Sequence, residues 1–236
     1  MRGYGLDLRC AQSRGSYANP GGKLRIDMHG TLGRHFVLPV LDQFCTRYPN
    51  IELQIGMGDG LVDLVAESID CALRVGELRD SSMVARRPAS LEQVTCASPA
   101  YLEQHGEPRG VDELARHRAV NFFSPQTGKH YPFEFNIAGE SREFHIDGTV
   151  SVNNADVYKL CCQSGFGLIQ LPRYGVAQVL ATGELREVLA AYRPNPSIVS
   201  VLYPHHRQLS PRVRVFVDWL VTIFAAARLD ASSSQV

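Results

Sequence analysis

Apolar and polar residues alternate along residues 24–28, which is the two-residue period of a β-strand. After Gly30 the apolar positions recur every three or four residues through Tyr48, the period of a helix with one buried face. Pro39 lies inside that stretch, and we expect it in the first turn of the main helical piece, where a missing N–H costs little. Alternation returns over residues 51–57 and predicts a second strand.

A third strand is predicted by the nearly unbroken apolar run at 71–75, which is typical of a strand buried on both faces. Between the second and third strands, the apolar residues of 61–69 have the spacing of a short helix. The order strand, helix, strand, helix, strand predicts a parallel sheet with right-handed crossovers.

The middle of the chain continues this alternation of helices and strands. Residues 83–97 are expected to be extended, and Ser98 and Pro99 are typical of the N-cap and first position of a new helix. The further predicted elements are helices at 111–116, 154–164 and 173–182 and strands at 118–123, 131–136, 143–146, 149–152 and 166–171. The chain then returns through a strand at 198–203 to a last helix at 211–226.

These elements predict an α/β fold of two lobes with mainly parallel sheets and a cleft between the lobes. The expected segments are lobe I at 22–97 plus 199–228, lobe II at 98–198, crossings between the lobes near 96–98 and 195–199, a disordered remnant or linker end at 1–21 and a flexible tail at 229–236. Parallel-sheet folds bind ligands outside the carboxyl ends of their strands, so the cleft is the expected binding site.

The composition is that of an ordinary globular protein that does not grip nucleic acid by charge. The 236 residues are 44% hydrophobic, and 24 Lys and Arg balance 24 Asp and Glu. A module that holds phosphates usually carries a basic excess or stripe. No apolar run approaches the roughly 20 residues of a membrane span. Residues 1–20 contain no apolar h-region, so we do not expect a secretory signal there. The six cysteines form no C-x-x-C pair, which favours reduced thiols in the cytoplasm.

Several short segments, in order along the chain, resemble the effector-binding domain of LysR-type transcriptional regulators. The segments that carry the resemblance are Leu24-Arg25-Ile26, Leu38-Pro39 with Phe44 and Tyr48-Pro49, 69–76, 97–102, Val152-Asn153-Asn154 and 165–172. The resemblance covers roughly Gly22 to Arg228. It implies a type 2 periplasmic-binding-protein fold, a small-molecule effector in the cleft, and dimers or tetramers formed through the sensor domains.

The resemblance departs from the family pattern at the N-terminus. LysR regulators read DNA with a helix-turn-helix whose second helix enters the major groove. Residues 1–20 are too short to hold one, so we expect this chain to lack the DNA-binding domain and to contact DNA only through a domain absent from it. Within the family, dimer contacts use the first long helix and the second strand, which implies an interface at residues 36–55.

Thr31 is the first candidate ligand-binding residue, because it follows the first strand and opens a helix. Its hydroxyl either caps that helix or binds a ligand carboxylate beside free backbone N–H groups. The resemblance supports the ligand role, since family members place Ser or Thr here against the effector. Gly33 is assigned to the same site, and Gly58 and Asp59 are expected in the cleft wall, with an ordinary turn as the alternative.

Four further residues complete the predicted site. Arg74, at the carboxyl end of the third strand, either clamps a ligand carboxylate or pairs structurally with Asp70 or Glu77. Of Asn153 and Asn154, one is expected to cap the following helix and the other to face the cleft opposite Thr31, so that two helix N-termini attract small anions. Phe122 either stacks on the ligand or belongs to the core.

The sequence shows no catalytic set, metal-ligand spacing or cofactor motif, so we expect neither an enzyme nor a cofactor. The leading interpretation is a sensor, most simply for a carboxylate, that controls transcription through a change in oligomer geometry. A free-standing solute-binding protein and, less favoured, a dehydratase-like enzyme are the alternatives.

Overall fold

The computed structural model describes residues 19–58, 67–76, 83–204 and 209–227. Its strands are β1 Gly22–Met28, β2 Ile51–Met57, β3 Cys71–Val75, β4 Met83–Leu91, β5 Gln93–Ala97, β6 Val120–Phe122, β7 Phe133–Ile137, β8 Glu140–Phe144, β9 Val150–Val152, β10 Ile169–Pro172, β11 Arg186–Val188 and β12 Ser197–Pro204. Its α-helices are α1 Gly30–Leu32, α2 Leu41–Arg47, α3 Pro99–His105, α4 Ala155–Gln163, α5 Ala177–Ala181 and α6 Pro211–Ala226. Short 3₁₀ helices lie at Leu38–Val40, Val111–Arg116, Arg173–Gly175 and Ala190–Tyr192, and a π-helical turn lies at Gly33–Val37.

Lobe I is built on a five-stranded sheet in the order β2-β1-β3-β12-β4. Strand β1 runs parallel to β2 and β3, as the sequence predicts, whereas β12 runs antiparallel to both β3 and β4. The expectation of mainly parallel sheets therefore holds only for part of this lobe. The reason is topological: β4 leaves towards lobe II in the direction of β1 and β3, and β12 returns from lobe II in the opposite direction.

One face of this sheet carries the main core of lobe I. Leu24, Ile26 and Met28 of β1 are buried against α2 and α6, which confirms the alternation seen in the sequence. Phe44 of α2 and Phe216 of α6 meet edge to face at 5.1 Å, a favourable aromatic geometry.

Lobe II contains three small sheets that the sequence did not resolve. β5 pairs antiparallel with β10 and β11, β6 pairs parallel with β9, and β7 and β8 form a hairpin. A parallel bridge between Ala119 and Leu168 joins the β6–β9 pair to the β10 side. Because β5 pairs only with lobe II strands in this sheet, the first crossing lies at Glu92, earlier than the expected 96–98.

The segment after β1 is not the single helix that its apolar period indicates. It passes through α1, a π-helical turn and a 3₁₀ turn before α2 begins at Leu41. Pro39 lies in the 3₁₀ turn, near the start of the regular helix as expected. Its missing N–H removes one hydrogen bond of the helical ladder, and the backbone changes its register at this point.

Helix ends follow the sequence signals closely. The Ser98 hydroxyl accepts a hydrogen bond from the Tyr101 N–H at 3.3 Å, and Pro99 occupies the first position of α3. Gly165 and Gly183, which follow α4 and α5, have positive φ values of 83° and 77°. The helix predicted at 61–69 lies for the most part outside the described residues. No helix in the described part of the chain is long and apolar enough to cross a membrane.

The described cysteines are free thiols. Cys71 and Cys96 are fully buried, and burial raises the pKa of each thiol to about 12, so both behave as small apolar side chains. Cys45 is exposed, because α2 turns it away from the core. Cys10 lies outside the described residues.

Candidate functional site

The carboxyl ends of β1 and β2 face lobe II, and Thr31 lies where the lobes meet. Its side chain is 8% exposed, and its hydroxyl oxygen lies 2.6 Å from the Tyr174 hydroxyl and 3.2 Å from Nδ1 of His29. The helix cap is His29 rather than Thr31, and it makes no side-chain capping bond. The capping role considered for Thr31 is therefore wrong: its hydroxyl bonds across the cleft.

Tyr174 enters the cleft from lobe II, since it belongs to the 3₁₀ turn that follows β10. Its ring meets the rings of His35 and Phe36 edge to face, with centroid distances of 5.3 and 5.0 Å. Phe36 in turn contacts Phe224 of α6 at 5.5 Å. Tyr174 is thus packed against the core of lobe I although its strand belongs to lobe II, and it joins the two lobes.

A second link across the cleft is an ion pair between Arg34 and Asp156. Arg34 lies in the π-helical turn of lobe I, and Asp156 lies in the first turn of α4 in lobe II. Their side chains are 47% and 41% exposed, so the pair forms an outer rim of the cleft. The two helical segments therefore approach each other as predicted, but an internal carboxylate already occupies the space between them.

Basic groups outnumber acidic ones around this rim. The pKa of His35 is lowered by partial burial and by the positive charges of Lys159 and Arg34, which outweigh the opposing effect of Asp156. A positive potential of this kind favours the binding of an anion.

The Asn154 side chain caps α4, accepting hydrogen bonds from the N–H groups of Asp156 and Val157 at 3.1 Å each. This confirms that one of the two asparagines is a cap. Asn153 is exposed just before it. Phe122 is half-buried and packs edge to face on Tyr158 at 5.3 Å, with the exposed ring of Tyr131 at 6.3 Å. Phe122 therefore packs against the core of lobe II, and part of its ring stays exposed.

Arg74 is held in a structural ion pair, and neither of the structural partners considered for it is the observed one. Its guanidinium pairs with Asp27 of β1, and Nη1 also donates to the Leu73 carbonyl at 3.2 Å. The two side chains of the pair are 6% and 13% exposed. Asp70 instead accepts from the Arg25 N–H at 2.9 Å, and Glu77 lies outside the described residues.

The candidate glycines have different surroundings. Gly33 is buried, and a Cβ atom there would lie 2.7 Å from Cε of Met57, so this glycine allows the helical segment to pack against β1 and β2. Gly58 donates its N–H to the Met28 carbonyl at 3.0 Å, and the space beside its Cα is open. Asp59 lies outside the described residues.

Four charged side chains form a closed ring of ion pairs beside the crossings, which we call the hinge ring: Glu92, Arg173, Glu187 and Arg193. Arg193 Nη1 lies 2.8 Å from Glu92 Oε1, and its Nε lies 2.6 Å from Glu187 Oε1. Arg173 also pairs with Glu187, and its Nε lies 3.1 Å from Glu92 Oε2 without the alignment of a hydrogen bond. No local sequence pattern indicates this ring, because its members are spread over about 100 residues.

The described residues contain no group of three or more His, Cys, Asp or Glu side chains placed to hold a metal ion. The site consists of one partly buried pair of hydroxyl groups, the aromatic contacts of Tyr174 and a rim of charged side chains. Such a set can hold a small polar molecule by hydrogen bonds and charge.

The chain matches the model of the LysR substrate binding domain over residues 18–225. It is 37% identical over 204 residues to YhjC of Escherichia coli K12, described as an uncharacterized HTH-type transcriptional regulator, covering 86% of this chain and 68% of that protein. It is 33% identical over 220 residues to the HTH-type transcriptional repressor PA14_22550 of Pseudomonas aeruginosa, covering 93% of this chain and 69% of that protein.

Solved structures show the same similarity. CrgA, a LysR-type transcriptional regulator from Neisseria meningitidis, superposes with a TM-score of 0.75 at 28% identity, covering 92% of this chain and 73% of CrgA. The CrgA regulatory domain alone superposes with a TM-score of 0.72 at 29% identity, covering 86% of this chain and 98% of that domain. The predicted two-lobed periplasmic-binding-protein-like fold and the expectation of a regulatory rather than enzymatic protein agree with these relatives.

Proposed function

This chain belongs to the LysR substrate-binding-domain family, and we propose that it senses a small carboxylate between its two lobes. The observation that carries the proposal is the arrangement of Thr31, Tyr174 and Arg34 at the meeting point of the lobes. Two hydroxyl groups and a guanidinium are the donors that a carboxylate needs for a charge-assisted, partly bidentate site. Gly58 and Asn153 are assigned to the walls of this site, and Phe122 to its edge.

The charge of the ligand follows from the Arg34–Asp156 pair. The Asp156 carboxylate is the anion that Arg34 holds in this structure, beside Lys159 and His35. A ligand carboxylate satisfies the same guanidinium and releases Asp156, whose exposed position lets water take its place. The exchange costs little, because exposed ion pairs contribute only about 0–1 kcal/mol each.

The regulatory output is a shift between two arrangements of the lobes or subunits. A ligand shifts such an equilibrium only by its difference in affinity for the two states. A carboxylate that competes with Asp156 and Tyr174 makes different contacts in the two states, so it meets this condition. We propose that the resulting change in oligomer geometry controls transcription in the cytoplasm.

The first prediction concerns thermal unfolding in the presence of small aliphatic and aromatic mono- and dicarboxylates. At least one is expected to raise the melting temperature, since a ligand at about 100 times its dissociation constant adds about 2.7 kcal/mol to stability. For a domain of this size that corresponds to a shift of roughly 5–10 °C. Differential scanning fluorimetry across the panel measures it.

Matched charge removals separate a specific site from general stabilisation by anions. Arg34→Met is expected to reduce the shift, because it removes the guanidinium at the cleft. Arg142→Met removes a similarly exposed guanidinium on the β7–β8 hairpin, and its shift should stay unchanged. A panel without any shift, or an equal loss in both variants, contradicts the proposal.

Exposed apolar side chains support self-association through the helical segment and β2. Leu38 and Met57 of lobe I are each 40% exposed, and on lobe II Val157, Leu160 and Phe166 are 44%, 58% and 46% exposed. A two-fold dimer that pairs the lobe I residues of one protomer with the lobe II residues of the other would bury both groups twice. We propose that residues 36–55 lie at this interface.

The second prediction is a mass of two or more chains in sedimentation velocity at micromolar concentration. Leu38→Glu is expected to shift the distribution towards the monomer, because it places a charge in an apolar contact. Tyr131→Ser removes an equally exposed aromatic side chain away from residues 36–55 and should leave the mass unchanged. A monomeric parent chain would contradict the interface.

A further inference from the structure

The hinge ring brings together both segments by which the chain crosses between the lobes. Glu92 is the residue between β4 and β5, and Arg193 lies shortly before β12. The other two members belong to lobe II: Glu187 lies in β11, and Arg173 follows β10 directly. Any rotation of the lobes has to bend the chain at these crossings, so the ring lies where the motion originates.

The ring is also linked by the backbone to the residue that joins the lobes. The Arg173 N–H donates to the Glu92 carbonyl at 2.8 Å, and Tyr174 is the next residue in the chain. The side chain of Arg173 is held by both Glu92 and Glu187. Arg173 is therefore held both by its backbone N–H and by its guanidinium. These contacts fix the backbone next to Tyr174, whose hydroxyl contacts Thr31.

The energetic character of the ring suits a device with two states. Its carboxylates are 21% and 15% exposed and its guanidiniums 35%, so each ion is partly desolvated and depends on its partners. Ion pairs that form a network, unlike isolated surface pairs, hold a defined geometry and lose it together. Displacing Arg173 disturbs its contacts with two carboxylates at once.

We propose that Glu92 and Glu187 position Tyr174 through Arg173, so that separation of Tyr174 from Thr31 and loosening of the hinge ring occur as one transition. The purpose of this coupling rests on the proposed sensing function. The coupling itself does not, because the Thr31–Tyr174 contact and the ion pairs of the ring are both observed in the structure. Cleft opening and a change in the two crossings are then a single event, with no further element needed between them.

The test measures lobe opening in the full chain without any ligand. Donor and acceptor dyes on unnatural amino acids at Arg214 and Glu143, both exposed and on different lobes, report the inter-lobe distance by single-molecule energy transfer. Four chains are compared: the parent, Tyr174→Phe, Glu187→Gln and the double variant. Tyr174→Phe removes only the hydroxyl that meets Thr31, and Glu187→Gln removes one ring charge at constant shape.

Glu187→Gln is expected to raise the ratio of open to closed molecules about fivefold or more in the parent, and much less in the Tyr174→Phe background. The reason is that a chain without the phenol hydroxyl has no Thr31 contact left to weaken. Glu140→Gln, which removes a charge from an ion pair on the β7–β8 hairpin, is the matched control and should leave the ratio unchanged.

Two outcomes overturn the proposal. An equal increase in both backgrounds shows that the ring and the Tyr174 contact act independently, and no increase in either shows that the ring does not govern opening. Circular dichroism melts check that every variant is folded. Since no ligand is used, a failed carboxylate panel leaves this result intact, and an uncoupled ring leaves the sensing proposal intact.

Discussion

Arg74→Met is expected to lower the free energy of unfolding by about 3–5 kcal/mol, the usual cost of removing one partner of a buried ion pair. Arg74 and Asp27 are 6% and 13% exposed, and the guanidinium is the carboxylate's ion-pair partner. A methionine fills most of the space but leaves Asp27 charged in a nearly dry position. Equilibrium unfolding in urea, monitored by circular dichroism, measures the change.

Two controls test the cause of this loss. In Asp27→Leu/Arg74→Met no charge is left unpaired, so stability should recover most of the loss. Arg86→Met breaks an ion pair with Asp218 whose side chains are 47% and 53% exposed. It is expected to lower the free energy of unfolding by about 1 kcal/mol or less. If Arg74→Met proved as mild as Arg86→Met, the pair would not be a structural element, and a ligand role for Arg74 would regain support.

The second large effect is expected for Gly167→Ala, which should lower the free energy of unfolding by about 4 kcal/mol. The residue has φ of 142°, which side chains rarely adopt, and a Cβ atom there would lie 2.4 Å from the Arg118 carbonyl oxygen. That carbonyl accepts a hydrogen bond from the Leu168 N–H at 2.9 Å. Alanine would therefore push apart the strands that join the two halves of lobe II.

Gly165→Ala is the matched control, two residues earlier in the same segment. It also has a positive φ, 83°, but the nearest atom to its Cβ position is the Ser98 hydroxyl at 3.9 Å, an ordinary contact. Only the cost of the positive φ remains, so Gly165→Ala is expected to lower the free energy of unfolding by about 1–2 kcal/mol. Urea unfolding of both variants gives the comparison. Equal losses of stability in the two variants would mean that the close approach of the Arg118 carbonyl to Gly167 does not add to the cost of the substitution.

Local signals along the chain predicted most elements and several of their ends. The alternation of β1 and the apolar stripe of α6 required only the side-chain periods of a strand and a helix. Ser98 was identifiable as a cap, and Asn154 as one of two candidate caps, because a cap acts on the N–H groups two or three residues later. Information of this kind is contained in a few consecutive residues.

The contacts of the candidate site could not be predicted from the sequence. Thr31 was recognised from its position after β1, whereas its partner Tyr174 is 143 residues away. The structural partners considered for Arg74 beside a ligand role were Asp70 and Glu77, which are near in sequence, yet it pairs with Asp27 because β1 and β3 are neighbours in the sheet. The Arg34–Asp156 pair and the hinge ring escaped detection for the same reason.

The sequence by itself therefore determined the α/β character, the two lobes, the position of the cleft and, through ordered motifs, the family. Only the tertiary structure decided which charges neutralise each other, that β12 runs antiparallel to its neighbours, and that a lobe II tyrosine closes on Thr31. The physical reason is the range of the interactions. Propensity, periodicity and capping act within a few residues, whereas ion pairs and hydrogen bonds between lobes depend on strand order and on distances that exist only once the chain has folded.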